Sequence, residues 1–466
     1  MLAWLVLDQG TIATYVLVGA VALAVAVYIG LCHPLWMYWA LAFLLAGIPF
    51  GYVPGVHLPL YLPFAAGMIL AAVIYPRTEE PLLRLEKAIL IFVVVSGVSV
   101  VVTSLSMLGL VQYVRWSIVT LVAVALLRLS KQDLERFGRI FVWVTVVNAI
   151  WGMLLVTVDK YQKSFAILKP FGYDIARVEV GVRNGQEQLI AWAYNQDGSQ
   201  AIRLAGTWVG PNGASLAFVI AIPLCLMLFR GWLRSSMVLI LSIALLLTLS
   251  RQAIFTLLVG LILVVIFHPM SARHRWQALA SLALMGVTAL SVPYIRARLI
   301  SAFLSSDYGG TARRESLLDF PHQVSGHWIF GLGWARPELY SGEASYTLNL
   351  ISNAPLLQIY RGGIITGLAF LVVCVIGCVI SYRALRSHSL PYAVFGGVFI
   401  AFCLVALQLD HGVTDVPQTT LCFSILLAFI GSIGRSLDTP PQRSAPTNEA
   451  VDAAPHRPLA TSTSTT

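Results

Sequence analysis

Long, uninterrupted apolar runs are the feature that most constrains the fold of this chain. Each run measures about 17–23 residues, the length of helix that crosses about 30 Å of hydrocarbon. Lipid offers no hydrogen bonds, so backbone polar groups there must be satisfied inside helices or a closed barrel. Barrel strands would be shorter and would alternate polar with apolar residues. The runs therefore predict an all-α, polytopic bundle in a membrane.

The composition points to the same class. Apolar residues make up 58% and charged residues 11%, compared with about 45–50% and about 25% in soluble domains. The net charge of +9 would suit nucleic acid, but the basic residues lie mostly in short loops and form no dense tract. We therefore expect no nucleic-acid partner. The N-terminus lacks a basic region before its first apolar run, so we expect no cleavable signal peptide.

The apolar pattern predicts about twelve or thirteen transmembrane helices within a membrane domain at 1–433. The tail at 434–466 is rich in Pro, Ser, Thr and Ala, so we expect it to be disordered. The predicted helices lie near 12–31, 35–50, 58–75, 88–105, 109–127, 139–158, 206–228, 233–249, 252–267, 276–293, 356–382, 391–409 and 417–433.

The charges of the short loops predict how the chain is oriented, because cytoplasmic loops carry an excess of Lys and Arg. The pattern places the loops at 159–205 and 294–355 outside the membrane and the C-terminus in the cytoplasm. The basic loops are 76–87, 128–139, 229–234, 268–275 and 383–390, and they alternate with loops free of Lys and Arg at 51–57, 106–108 and 410–416.

The two long outer loops differ in character. The first contains Asn184-Gly185 between alternating runs, a strong signal for a small β-hairpin. The second, at 294–355, is rich in aromatic residues. Loops this long are usually functional or disordered, and the aromatic content predicts an ordered cap over a site.

Four arginines stand at or near the outer ends of the predicted helices: Arg203, Arg251, Arg313 and Arg314. A guanidinium keeps its charge and offers a planar fork that suits phosphate oxygens. The alternative for Arg203 and Arg314 is a solvated loop charge. The alternative for Arg251 is an interfacial residue that extends to water. Asn212, in a glycine-rich helix start, can cap the helix or bind a ligand hydroxyl.

Four short elements follow one another between residues 200 and 375: "RLAGTWVGPNGASLAF", "TLSRQAIFTLLVG", "GGTARRESLLDFPHQVSGHWIFGLG" and "SNAPLLQIYRGGIITGL". In this order they resemble the O-antigen ligase and O-antigen polymerase superfamily. The matching residues are Arg203, Gly206, Pro211 and Asn212 in the first element, Ser250, Arg251 and Ala253 in the second, Arg313 ahead of Gly331 and Gly333 in the third, and Asn353, Leu357 and Gln358 in the fourth.

The resemblance implies a type C-like glycosyltransferase in the bacterial plasma membrane. Its donor would be a polyprenyl-diphosphate-linked glycan presented at the outer face, and its acceptor a glycan, lipid or protein hydroxyl. It implies that Arg203, Arg251 and Arg313 hold the diphosphate. It also implies substrate-binding roles for Asn212, Arg314, Asn353 and Gln358. Arginines can neutralise the leaving diphosphate, so we expect neither a metal nor a cofactor.

The catalytic base is where the sequence departs from the family. Ser352 stands at the position of the family's histidine, and serine is no base near neutral pH. His322 is the catalytic candidate that we name. Other candidates in predicted outer segments are His327, His411, Asp319 and Glu343. Arg361 is a second departure, because the family usually has an acidic or neutral residue there.

Two other functions remain open alongside ligation and polymerisation of a glycan. A peptidoglycan-polymerase-like glycosyltransferase would share the architecture, but we find no matching acidic motif in an outer loop. A non-enzymatic transporter of lipid-linked glycans would show internal repeats and ionisable groups near the middle of the membrane. We find no repeat and little charge within the predicted helices.

Overall fold

The structure of the chain is a computed structural model. It describes residues 28–30, 32–53, 58–75, 81–103, 106–159, 163–173, 180–183, 186–189, 192–194, 200–291, 296, 317–336, 339–340, 348–349, 351, 353–409 and 412–438.

The described residues form a bundle of α-helices. In chain order these are α1 (Pro34–Gly47), α2 (Tyr61–Ile74), α3 (Arg84–Thr103), α4 (Met107–Leu127), α5 (Lys131–Thr157), α6 (Pro211–Leu228), α7 (Gly231–Leu247), α8 (Arg251–Phe267), α9 (Ala272–Ser291), α10 (Ala354–Leu385), α11 (Leu390–Ala401) and α12 (Pro417–Asp438). A π-helical turn, Phe402–Ala406, and the short helices Leu407–Leu409 and Gly412–Asp415 connect α11 to α12.

Seven of the described helices, namely α3, α4, α5, α6, α10, α12 and α11 with its extension to Leu409, are long and apolar enough to cross a membrane. Helices α1, α2, α7 and α8 are shorter apolar helices. The described part of the chain is therefore an all-α, multi-pass bundle, as the apolar runs predict. The predicted helix at 12–31 lies almost wholly outside the described residues, so the total number of spans stays a prediction.

Several helix boundaries differ from the predicted ones by a few residues, and two of these differences have identifiable reasons. Helix α5 begins at Lys131 and not near 139 because Ser130 caps it, accepting a hydrogen bond from the Asp133 amide at 3.2 Å. Helix α12 continues past 433 to Asp438, which forms an ion pair with Arg383 at the end of α10. The start of the segment predicted to be a disordered tail is therefore helical, and the rest of that tail, from 439, lies outside the described residues.

Short antiparallel strand pairs lie in the two long connections. Strand β1 (Val180–Arg183) pairs with β2 (Gln186–Leu189), β3 (Trp192–Tyr194) with β4 (Gln200–Ile202), and β5 (Leu339–Tyr340) with β6 (Leu348–Asn349). Arg183 faces Gln186 in the first pair. That register places the ends of β1 and β2 on either side of the predicted Asn184-Gly185 turn, whose residues lie outside the described ranges.

The packing of α8 against α11 shows which helix ends lie together. Gly260 of α8 packs so closely on Gly397 and Val398 that an added Cβ would lie 2.9 Å from the Val398 Cα. His268, after α8, lies 3.4 Å from the carbonyl oxygen of Leu385, which ends α10. Both α10 and α8 therefore run antiparallel to α11, so α8 and α10 begin at the same end of the bundle.

Candidate functional site

Arg203 is held by two different helices at the end of the bundle where α8 begins. Its Nε atom donates to the carbonyl oxygen of Thr248, just after α7, at 2.8 Å. Its terminal nitrogen donates to the side-chain oxygen of Asn212 in the first turn of α6 at 2.9 Å. The neighbouring Leu204 amide bonds to the Leu247 carbonyl at 2.9 Å. These contacts fix the guanidinium of Arg203 at a position that is only half-buried.

Arg251 lies three residues beyond Thr248 and is the first residue of α8. It is also half-buried. The N-cap residue Ser250 makes no side-chain cap hydrogen bond, so Ser250 does not supply the side-chain acceptor that often caps a helix start. Arg203 and Arg251 therefore lie at one end of the bundle, which we call the arginine end.

The backbone is strained in both segments that carry these arginines. Val209, between Arg203 and Asn212, has φ of 60°, and Leu249, between Thr248 and Arg251, has φ of 52°. Positive φ is rare for residues other than glycine, and for a β-branched residue such as Val209 it is an outlier. Such conformations cost about 1–3 kcal/mol each and cluster at binding and catalytic sites.

Two buried side chains hold the loop between Arg203 and Asn212 in this shape. The Tyr173 hydroxyl donates to the Thr207 carbonyl at 3.0 Å, and the Asn148 side-chain oxygen accepts from the Thr207 amide at 3.0 Å. Burial raises the pKa of Tyr173, so its phenol stays protonated and keeps its donor role. Gly206, with φ of 57°, has no space for a Cβ beside Asn148, which explains the glycine in this element.

The start of α10 brings Asn353 and Gln358 to the same end of the bundle. Asn353 caps the helix by accepting from the Leu356 amide at 3.1 Å, and its side-chain nitrogen donates to the Gln408 side-chain oxygen at 2.8 Å. One turn further, Gln358 is fully buried, and neither atom of its amide has a hydrogen-bond partner in the part of the chain that the structure describes. A buried amide without partners is costly, and such a group is suited to a polar ligand.

Arg361 forms a buried ion pair that the sequence analysis did not predict. Its side chain is 5% exposed and pairs with Asp415, which is 31% exposed. The guanidinium also lies 4.6 Å from the centre of the Trp334 ring, within the range of a cation–π interaction. An arginine inside an apolar helix is the sequence feature that marks Arg361 as unusual, but the sequence does not reveal the partners of its side chain.

The Gly-x-Gly element packs directly against α10. The Leu332 amide bonds to the Tyr360 carbonyl and the Ile364 amide to the Trp328 carbonyl, each at 2.7 Å. Gly363 has φ of 75° and interrupts α10, and a Cβ there would overlap the carbonyl group of Ile329. The glycines therefore let two segments of backbone approach closely and hold Trp334 over Arg361.

The other predicted site residues are not joined to this cluster. His322 lies exposed in a helical turn at 317–323, and no hydrogen bond or ion pair joins its side chain to Arg203 or Arg251 among the described residues. Of the remaining candidates for the base, His327 is exposed with its ring 3.1 Å from the Ser325 carbonyl oxygen, and Asp319 accepts from Gln323 at 2.7 Å. The predicted residues Arg313, Arg314, His411 and Glu343, like Ser352, lie outside the described ranges.

The structure thus joins Arg203 to Asn212, places Arg251 at the same end of the bundle, and positions Asn353 and Gln358 at the start of α10. Comparison with known proteins adds no relative: no family model matches the chain, and no curated protein matches it either.

Proposed function

We propose that this protein transfers or polymerises a glycan carried on a polyprenyl diphosphate at the outer face of a bacterial plasma membrane. In this proposal, Arg203, Arg251 and Arg313 hold the diphosphate of the donor. The acceptor is a hydroxyl group of a glycan, a lipid or a protein.

The observation that carries the proposal is the fixed position of Arg203 beside the start of α8. Its guanidinium is bound to Thr248 and Asn212, and Arg251 begins the helix that follows Thr248. Two guanidiniums and the N-terminal end of an apolar helix provide positive charge and hydrogen-bond donors in one region. A diphosphate is a ligand that matches this arrangement, because its oxygens accept several charge-assisted hydrogen bonds at once.

The chemistry that these groups would serve is a displacement at the sugar carbon that bears the diphosphate. The acceptor oxygen forms a bond to that carbon while the bond from the carbon to the diphosphate oxygen breaks. The electron pair of the broken bond stays on the diphosphate, and the acceptor proton passes to a base, for which His322 is our candidate. Prearranged guanidiniums stabilise the charge that develops on the leaving group.

Asn212 and Gln358 are the two amide side chains to weigh as ligands for the glycan. The Asn212 side-chain oxygen is occupied by Arg203, so its amide nitrogen stays available to donate, and this side chain is exposed. The amide of Gln358 has no partner in the described part of the chain. Amides can both donate to and accept from sugar hydroxyls, so the exposed Asn212 is the substrate-binding candidate that the described geometry best supports, whereas Gln358 is fully buried.

The test is a transfer assay on membranes that contain the protein, supplied with lipid-linked glycan donors. We expect new glycan product from membranes with the wild-type chain and little from membranes with Arg251→Ala at an equal protein level. Product length separates a single transfer from polymerisation. Movement of the donor across the membrane without any transfer product would contradict the proposed enzyme and favour a transporter.

A further inference from the structure

A polar cavity lies at the end of the bundle opposite the arginine end. It has a volume of about 330 Å³ and is bordered by the start of α5, the connection between α6 and α7, the start of α11 and the end of α12. Helix α7 has 17 residues and separates this cavity from Thr248, so the two ends are about 25 Å apart at the helical rise. The cavity is therefore separate from the proposed diphosphate site.

The walls of this cavity carry uncompensated positive charge. Lys131, Arg230 and Arg234 line it, and none of the three forms an ion pair with any residue that the structure describes. Glu135 also lines the cavity, but its carboxylate is paired with Arg139 at 3.3 Å. Basic loop residues that only set the orientation of a membrane protein can lie anywhere on its cytoplasmic surface. These three instead surround a concave space, an arrangement that suits an anionic ligand.

The backbone at the cavity adds hydrogen-bond donors to this charge. Helix α7 begins after Arg230 and helix α11 begins after Ser389, and neither N-cap residue makes a side-chain cap hydrogen bond. Ser389 is a residue type that often caps helices, and it lines the cavity. Its hydroxyl is therefore available to a ligand in the cavity.

Aromatic side chains beside the cavity indicate its depth in the membrane. Trp232, next to Arg230 and Gly231, is 83% exposed, and Trp143 is 45% exposed. The Trp143 ring lies edge-on to Phe229, with centroids 6.1 Å apart, and Phe229 lines the cavity. Exposed tryptophans on an apolar bundle are typical of the level of the lipid headgroups, so the cavity faces headgroups and not only solvent.

We propose that this cavity binds the phosphate headgroup of an anionic phospholipid from the surrounding membrane. Arg230 and Arg234 hold the phosphate, Lys131 adds charge, and the Ser389 hydroxyl donates to a headgroup oxygen. Basic pockets between transmembrane helices are known to bind such headgroups. The proposal does not depend on the glycan-transfer function, because the two sites lie at opposite ends of α7.

The experiment uses the purified, delipidated full chain and measures retained lipid by native mass spectrometry. The probes are phosphatidylglycerol and, as a zwitterionic reference, phosphatidylcholine. We expect the Arg230→Gln/Arg234→Gln variant to bind phosphatidylglycerol about fivefold more weakly for each arginine removed, with unchanged binding of phosphatidylcholine. The matched control is Arg273→Gln/Arg275→Gln, which removes two exposed arginines of α9 that do not line the cavity, and it should retain wild-type binding.

A second variant, Ser389→Asp, tests the proposed lipid site if the double arginine variant does not fold. Aspartate caps helices about as well as serine, so α11 should stay intact while a negative charge enters the cavity, and phosphatidylglycerol binding should fall several-fold. If the α9 control variant lost as much phosphatidylglycerol binding as the Arg230→Gln/Arg234→Gln variant, the proposal would be overturned, because the lipid would then be attracted by surface charge in general. Displacement of the lipid by millimolar inorganic phosphate at constant ionic strength would also overturn it and indicate a soluble phosphate ligand.

Discussion

The guanidinium of Arg203 donates to the side-chain oxygen of Asn212 at 2.9 Å, and this bond closes the loop that leads into α6. A second bond from Arg203 to the Thr248 carbonyl ties the same loop to the end of α7. One side chain therefore fixes the relative position of the segments that begin α6 and α8. Arg203 therefore has a structural role in this arrangement, and its charge stays at the end of the bundle where α8 begins.

We expect that lysine cannot perform the role of Arg203. An ammonium group on a flexible chain cannot reproduce the planar guanidinium that reaches Thr248 and Asn212 together. We expect Arg203→Lys to lower the transfer rate at least about tenfold, since a charged hydrogen bond contributes about 1.5–3 kcal/mol. The control is Arg336→Lys, at an exposed arginine near Trp334. Equal rates for wild type and Arg203→Lys would show that charge alone matters at this position.

Removal of Asp415 should leave the buried Arg361 guanidinium without its ion-pair partner. We expect Asp415→Asn to lower the free energy of unfolding in detergent by about 2 kcal/mol, which is less than the cost for a fully buried pair because Asp415 is 31% exposed. The matched control is Asp438→Asn, because the Arg383–Asp438 pair has the same chemistry and is exposed. That change should cost less than about 1 kcal/mol, and equal costs would contradict this account of Arg361.

Gly363 should tolerate no side chain. Its φ of 75° disfavours other residues, and a Cβ would overlap the carbonyl group of Ile329. We expect Gly363→Ala to destabilise the protein by about 2 kcal/mol or more, measured as a fall in the thermal unfolding temperature. Gly286→Ala in α9 is the control, since nothing lies within 4 Å of the added Cβ and alanine favours a helix. A stable Gly363→Ala protein would mean that the Gly-x-Gly segment does not pack on α10 as described.

The predicted orientation can be tested with single cysteines in a variant that lacks the six native ones. An impermeant thiol reagent should label Ser199→Cys in intact cells, because the charge pattern places 159–205 outside. It should label Ser271→Cys only after the membrane is opened. Labelling of Ser271→Cys in intact cells would reverse the orientation and move the arginine end to the cytoplasmic side.

Much of the fold follows from the sequence because apolar runs determine which residues form membrane helices. The helix α8, predicted at 252–267, begins at Arg251 and ends at Phe267. Helix α5 was harder to place, because its first turns are polar and its start depends on a cap at Ser130. The π-helical turn at Phe402–Ala406 was not predicted, because the apolar pattern of such a turn is the same as that of a helix.

The candidate site was less predictable, because its contacts join residues far apart in the chain. A single sequence indicates that Arg203, Arg251 and Arg361 are unusual in their apolar surroundings. It does not reveal that Arg203 binds Thr248 or that Arg361 binds Asp415, since both contacts depend on how helices pack. The motif residue Asn353 has a structural role in the structure, as a helix cap bonded to Gln408.

In the proposed mechanism, arginines at one end of the bundle hold the diphosphate of a lipid-linked donor. The most direct measurement is the rate of glycan transfer by Arg251→Ala, Arg251→Lys, Arg313→Ala and Arg314→Ala at equal protein levels in the membrane. We predict that both Arg251 variants and Arg313→Ala lose about 10²–10³-fold in rate, as expected for the loss of a transition-state donor. Arg314→Ala should lose the least, since by its spacing it is the neighbour of the family's arginine. A fully active Arg251→Ala protein would contradict the proposed site.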